Sequence, residues 1–190
     1  MYRQTLLMTC ALAGLPGLAQ AAETYVVEPT HTFARFSYDH MGYSTFRARF
    51  DTTSGEITLD TAKKTGSVDI TIDAASISTG VPKFNDHLKS AEFFDVAKYP
   101  TITFKATDLK FDGDKLASVT GTLDLHGVQK PLTLTVTRFH CAPHPMTKAP
   151  ACGADATGTL KRSDFGLGLY APLVGDEVTL MIEVEAHLKK

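Results

Sequence analysis

The chain has 190 residues, with 19 Lys and Arg against 21 Asp and Glu, a formal charge of −2. So balanced a composition, without a Lys/Arg run, excludes nucleic acid and anionic membrane surfaces as principal partners. The length left after the N-terminal segment suits one domain.

Residues 1–21, "MYRQTLLMTCALAGLPGLAQA", hold one basic residue, Arg3, then an apolar run from Leu6 to Leu18, and close on Ala19-Gln20-Ala21. A short apolar run ending in a small-x-small pattern reads as a secretory signal cut after Ala21; a membrane-spanning helix needs about 20 apolar residues. Cys10 leaves with the signal. Residues 22–190 are then a single exported domain.

From Tyr25 onward hydropathy alternates with period two, the mark of strands buried on one side. "FARFSYDH" sets Ala34, Phe36, Tyr38 and His40 on one face and Arg35, Ser37 and Asp39 on the other. Phe46, Ala48 and Phe50 follow, then Ile57 and Leu59, then Val68, Ile70 and Ile72.

The alternation breaks once, at "VPKFNDHLKSAEFF". There Phe84, Leu88, Ala91 and Phe94 fit a helical stripe after Pro82, so about residues 82–95 read as a short helix or two capping one end of a β structure. Asp86 is expected in the first helical turn, and Asp95 in the turn before "VAKYP". His87 with Ser90 is the nearest approach to a catalytic pair, but neither a Gly-x-Ser-x-Gly elbow nor an oxyanion loop accompanies it.

Alternation resumes with Ile102 and Phe104, then Val119, Leu123 and Leu125, a His126-Gly127 turn, and Leu132, Leu134 and Val136, with Phe139 beyond. Cys141 and Cys152 bracket the Pro-rich "APHPMTKAPA". In an exported chain this spacing favours a disulfide, worth roughly 2–3 kcal/mol in the chain-entropy model. The alternative is a metal site using Cys141 with His140 and His144, but Pro143 and Pro145 stiffen the segment and no second ligand pair stands nearby.

"KRSDFGLG" contains Asp-Phe-Gly without the other kinase motifs. On an extended segment Arg162 and Asp164 share a face, either as a salt bridge or as a polar gate for a ligand head group at a barrel mouth. The last strand places Val178, Leu180, Ile182, Val184 and Ala186 on one face. Eight or nine strands joined by short Gly- or Asp-containing turns imply an all-β antiparallel sandwich or closed barrel. A barrel of eight strands is either filled by its side chains or holds one ligand, and alternation is the same in both. No His-x-x-x-His pair on a helix and no Cys-x-x-Cys site is present; His31 and His126 read as structural. His40, at the inner end of an apolar strand, needs a hydrogen-bond partner.

Taken in order, "PTHTFARFSYDHMG", "GEITLD", "IDAASISTG", "NDHLKSAEFFDVAKYPTITF", "VTGTLDLHGVQKPLTLTV", "RSDFGLG" and "VGDEVTLMIEVEA" resemble the YceI-like polyisoprenoid-binding family over Tyr25 to Ala186. The insert "APHPMTKAPACGADA", with its Cys pair, departs from the family pattern. The resemblance implies an elongated, eight-stranded, lipocalin-like antiparallel barrel with a helical cap and a periplasmic location. It also implies a lumen that holds a long isoprenoid chain, polyprenyl or isoprenoid quinone, as cargo rather than cofactor.

The lining expected from the inward set is Ala34, Phe36, Tyr38, His40, Phe50, Ile70, Ile72, Phe94, Phe104, Leu123, Leu125, Leu134, Phe139, Leu180 and Ile182. His87, Arg162 and Asp164 are the candidates for the head group or mouth. No metal, redox cofactor or catalytic residue is expected. A transient membrane or membrane-protein contact and a homodimer are left open. The competing readings are an enzyme acting on an apolar lipid or ester through His87 or His40, and a filled barrel acting in stress response through its surface.

Overall fold

The computed structural model describes residues 22–190; the expected signal segment, residues 1–21, lies outside them. Eleven strands form one antiparallel sheet. They are β1 (Glu23–Val27), β2 (Phe33–His40), β3 (Ser44–Phe50), β4 (Thr53–Asp60), β5 (Thr65–Asp73), β6 (Ile77–Ser78), β7 (Thr101–Asp112), β8 (Lys115–Leu125), β9 (Val128–Pro143), β10 (Pro150–Lys161) and β11 (Glu177–Leu188), with one α-helix, α1 (Pro82–Lys89). Hydrogen bonding runs β1–β4–β5–β7–β8–β9–β10–β11, and β11 pairs back onto β1, closing an eight-stranded barrel. Closure leaves these strands without a free edge.

One wall is shared by two short strands. The far half of β11 pairs with β1 (Tyr25↔Leu188, Val27↔Ala186), and its other half pairs with β2 (Glu183↔Phe33, Thr179↔Ser37). A 3-10 turn at Pro29–His31 makes the corner between them, capped by the Glu28 side chain, which accepts from the Thr30 and His31 N–H groups. β2 continues into β3, which meets only the two-residue β6. At this end the barrel wall is therefore completed by the segment from Ala74 to Pro100, tied in by Ala74 N–H to the Pro100 carbonyl at 3.0 Å.

The cap is shorter than its apolar stripe suggests. α1 ends at Lys89 because Ser90 turns extended, and its N–H and hydroxyl both donate to the His87 carbonyl. Turns then fold Phe93 and Phe94 back toward the barrel, with Asp95 at φ 43° accepting from Lys98 and Tyr99 N–H groups. Asp86 lies in the second turn of α1, not the first, so it does not serve the helix N-terminus.

The β8–β9 hairpin closes with two residues, His126 (φ 56°) and Gly127 (φ 73°), between the paired Leu125 and Val128. Two successive positive φ values match the right-handed strand twist, and a side chain at Gly127 would meet the Tyr99 ring at 2.6 Å. His126 Nδ1 lies 3.1 Å from the Phe165 carbonyl, so the hydrogen sits on Nδ1 and the imidazole is structural. Cys141 and Cys152 are directly opposite in the β9–β10 ladder and form a disulfide.

Three carboxylates tie down corners of the barrel. Burial works against charge at Glu28, yet hydrogen bonds from Thr30 and His31 carry its carboxyl down to about 2. Hydrogen bonds from Lys63 hold Asp60 below the usual range, and those from the Ser163 hydroxyl and N–H do the same for Asp176. Groups with lowered folded values stabilise the fold above their unfolded values, near 4, and lose that contribution as pH falls through the folded ones. Thermal stability should therefore fall steeply from about pH 4.5 to about pH 2. Glu28→Gln should flatten part of that slope in thermal melts taken across the range; an unchanged slope would refute the assignment.

Candidate binding site

Inward-facing side chains do not meet at the barrel axis. They enclose a cavity of about 430 Å³, within the range of small-molecule sites. Its mid-section is walled by Ala34, Phe36 and Phe50 from β2 and β3, Ile70 and Ile72 from β5, and Phe104 from β7. Leu123 and Leu125 of β8, Leu134 and Phe139 of β9, and Leu180 and Ile182 of β11 complete it. Phe94 enters from the cap and meets Phe36 and Phe50 edge-on, at centroid distances of 6.4 and 5.4 Å. Tyr38 packs tilted against Phe46 at 4.9 Å, and Phe46 meets Phe84 of α1 edge-on at 5.2 Å. The cap is thus anchored by aromatic contacts that also form lumen wall. At the far end the wall is built by Tyr25, Leu109 and Leu116; burial, together with a 2.6 Å bond to Glu23, pushes the Tyr25 phenol up to about 12.

Four polar residues stand near the cap and the loop after Arg162. Tyr38, His40, His87 and Arg162 all reach the cavity. Burial raises the Tyr38 phenol, with the nearby Arg162 charge pulling the other way. Arg162 is 8% exposed. Its guanidinium donates from Nε to the Gly175 carbonyl (2.8 Å), from Nη1 to those of Leu167 and Leu169, and from Nη2 to that of Val174 (2.7 Å). Four of its five N–H groups are committed to one loop, so at most one remains for a ligand. The His87 ring lies between Phe84 and Phe93, with Glu92 at 3.9 Å. Ser90 donates to a carbonyl rather than to this imidazole, so the pair is not arranged as nucleophile and base. Among the described residues no hydrogen bond engages the His40 ring.

Asp164 is not in the lumen. The chain enters a 3-10 turn at Arg162–Phe165 instead of running extended, so positions two apart diverge, and Asp164 pairs with Lys130 at 3.4 Å on the outside. Ser37, of outward phase, is nonetheless buried between neighbouring strands. Sequence reasoning missed the mouth itself: Met41 of the β2–β3 turn and Leu169, Tyr170 and Val174 of the loop after Arg162 line the opening. The uncharged run from Phe165 to Gly175 was its available signal. On the outer wall, Glu28, His31 and Glu185 bring ligand-type atoms within 4.8 Å of one another. Capping already accounts for Glu28, which bonds His31 Nδ1 at 2.7 Å.

A closed eight-stranded antiparallel barrel, capped by one helix over an apolar lumen, defines a lipocalin-like protein. The YceI-like domain model matches residues 25–186, and the chain belongs to that family. It is 36% identical over 176 residues to Protein YceI of Salmonella arizonae, covering 92% of this chain and 91% of that one. The crystal structure of the Campylobacter jejuni YceI protein superposes with a TM-score of 0.69 at 31% identity, over 80% of this chain and 90% of that one. A polyisoprenoid binding domain from Saccharophagus degradans shares the fold, with a TM-score of 0.65 at 23% identity over 87% of this chain and 98% of that one.

Proposed function

We propose that this protein is a periplasmic, non-catalytic carrier for a long isoprenoid chain, polyprenyl or isoprenoid quinone, held in the barrel lumen. The observation that carries this reading is the cavity of about 430 Å³, walled almost wholly by aliphatic and aromatic side chains, with Tyr38, His40, His87 and Arg162 among its few polar residues. That a neighbour of the same fold is a polyisoprenoid binding domain supports it. The secretory pattern of residues 1–21 and the Cys141–Cys152 disulfide support export to an oxidising compartment. The isoprenoid chain contacts the lining described above, and the head group lies among His40, His87, Tyr38 and the remaining Arg162 N–H.

Burying one isoprene unit from water contributes on the order of 3–4 kcal/mol, at about 0.8 per carbon. Several units would pass the practical limit of about 18–21 kcal/mol for non-covalent affinity. Water is therefore the wrong reference. The cargo's alternative solvent is a bilayer, as apolar as the lumen, and net transfer is near zero, which permits both uptake and release.

Protein purified from the periplasm without detergent, extracted with organic solvent and read by mass spectrometry, should yield a stoichiometric isoprenoid. Empty protein that also fails to take up added ubiquinone or polyprenol would overturn the reading.

A further inference from the structure

The lumen reaches the surface beside two loops, the β2–β3 turn and residues 166–176, whose Met41, Leu169 and Tyr170 both line it and are exposed. The loops are joined: His40 bridges to Val174, and the Gly175 N–H donates to the Asp39 carbonyl at 2.9 Å. Met41, Tyr43, Leu169, Tyr170 and Leu173 on these loops are 38–89% exposed. They are five of the eight large hydrophobic residues exposed among the described residues. Between Phe165 and Gly175 no Asp, Glu, Lys or Arg occurs, and the Arg162 guanidinium fixes this loop by its carbonyls. The patch is thus apolar, held in shape and continuous with the lumen, since Met41, Leu169 and Tyr170 belong both to the lumen wall and to the outer rim.

Contiguous exposed apolar surface at a cavity mouth marks an interaction site. Resting on the carrier reading, we infer that this rim is a bilayer-docking surface: Leu173, Leu169 and Met41 enter the acyl boundary, and Tyr43 and Tyr170 lie at head-group level. A lipid leaflet is the occupant these features fit. Met41 to Tyr43 and Phe165 to Gly175 hold no Asp, Glu, Lys or Arg to match a charged partner, Tyr is a residue favoured at membrane interfaces, and a mouth seated in the leaflet lets an isoprenoid pass without crossing water. Two of the five, Tyr43 and Leu173, do not line the lumen, so their replacement separates docking from binding.

The test is flotation with phosphatidylcholine vesicles, alongside the rate at which vesicle-borne polyprenol enters emptied protein. Wild-type protein should float, equally at about 0.15 M and about 1 M salt, because screening shortens only electrostatic attraction. Tyr43→Ser/Leu173→Ser should reduce both flotation and transfer rate at least tenfold, while the polyprenol bound at equilibrium stays unchanged. Met146→Ser, at the exposed tip of the β9–β10 hairpin, should behave as wild type. A double variant that floats and transfers like wild type would overturn the docking surface. So would flotation abolished by salt, or a rim-dependent dimer in sedimentation, which would make a second copy the occupant. Protein that floats yet binds no polyprenol leaves the rim standing and removes the carrier reading; protein that binds polyprenol but does not float does the reverse.

Discussion

Arg162→Leu is expected to destabilise the protein by about 3–5 kcal/mol, because its buried guanidinium has no hydrogen-bonding substitute. The side chain donates to the carbonyls of Leu167, Leu169, Val174 and Gly175, and each buried acceptor left unpaired costs roughly 1–3 kcal/mol. Partial rehydration of the loop keeps the total below the simple sum. Arg162→Lys should recover little, since one ammonium cannot present donors in the forked geometry that four separate carbonyls require. Urea unfolding should show the full loss in both variants, and limited proteolysis of native protein should cut within residues 166–175. A loss below about 1 kcal/mol in Arg162→Leu would show that the loop is held by other contacts.

The backbone at this arginine is also the part of the site least legible in the sequence. An extended segment would put the arginine's neighbour Asp164 on the same face; the 3-10 turn at Arg162–Phe165 separates them, and nothing in the local pattern announces that turn. Alternation is legible wherever a strand runs unbroken, and the alternating residues of β2, β5 and β11 stand in the cavity wall. In β7 the ladder slips between Ala106 and Asp108, and the extra residue returns Leu109 to the inside after simple alternation has lost it. The cap stripe Phe84, Leu88, Ala91 and Phe94 was satisfied by one helix followed by a turn, because folding the chain back brings Phe94 to the same side as continued helix would. The hollow interior was illegible for a deeper reason: a filled core and a lined cavity demand the same inward hydropathy, and only the distance across the barrel tells them apart.

That distance supplies the most direct test of the lumen. Ala34 and Ala156 stand on either side of Ile182, paired to it from β2 and from β10, and both face the cavity. Ala34→Phe/Ala156→Phe would place two rings in space the cargo occupies. Isoprenoid recovered by extraction should fall at least tenfold, equivalent to about 1.4 kcal/mol. So modest an energy suffices because transfer from a bilayer is nearly neutral, and no large hydrophobic term is available to offset a steric loss. Stability decides between the two interiors at the same time. In a hollow barrel the rings fill dry space, and urea midpoints should hold or rise; in a packed one each insertion should cost about 1–3 kcal/mol. Reduced lipid with unchanged stability is the signature of an occupied lumen. Unchanged lipid with lost stability would place the cargo elsewhere and make the cavity a property of the empty barrel alone.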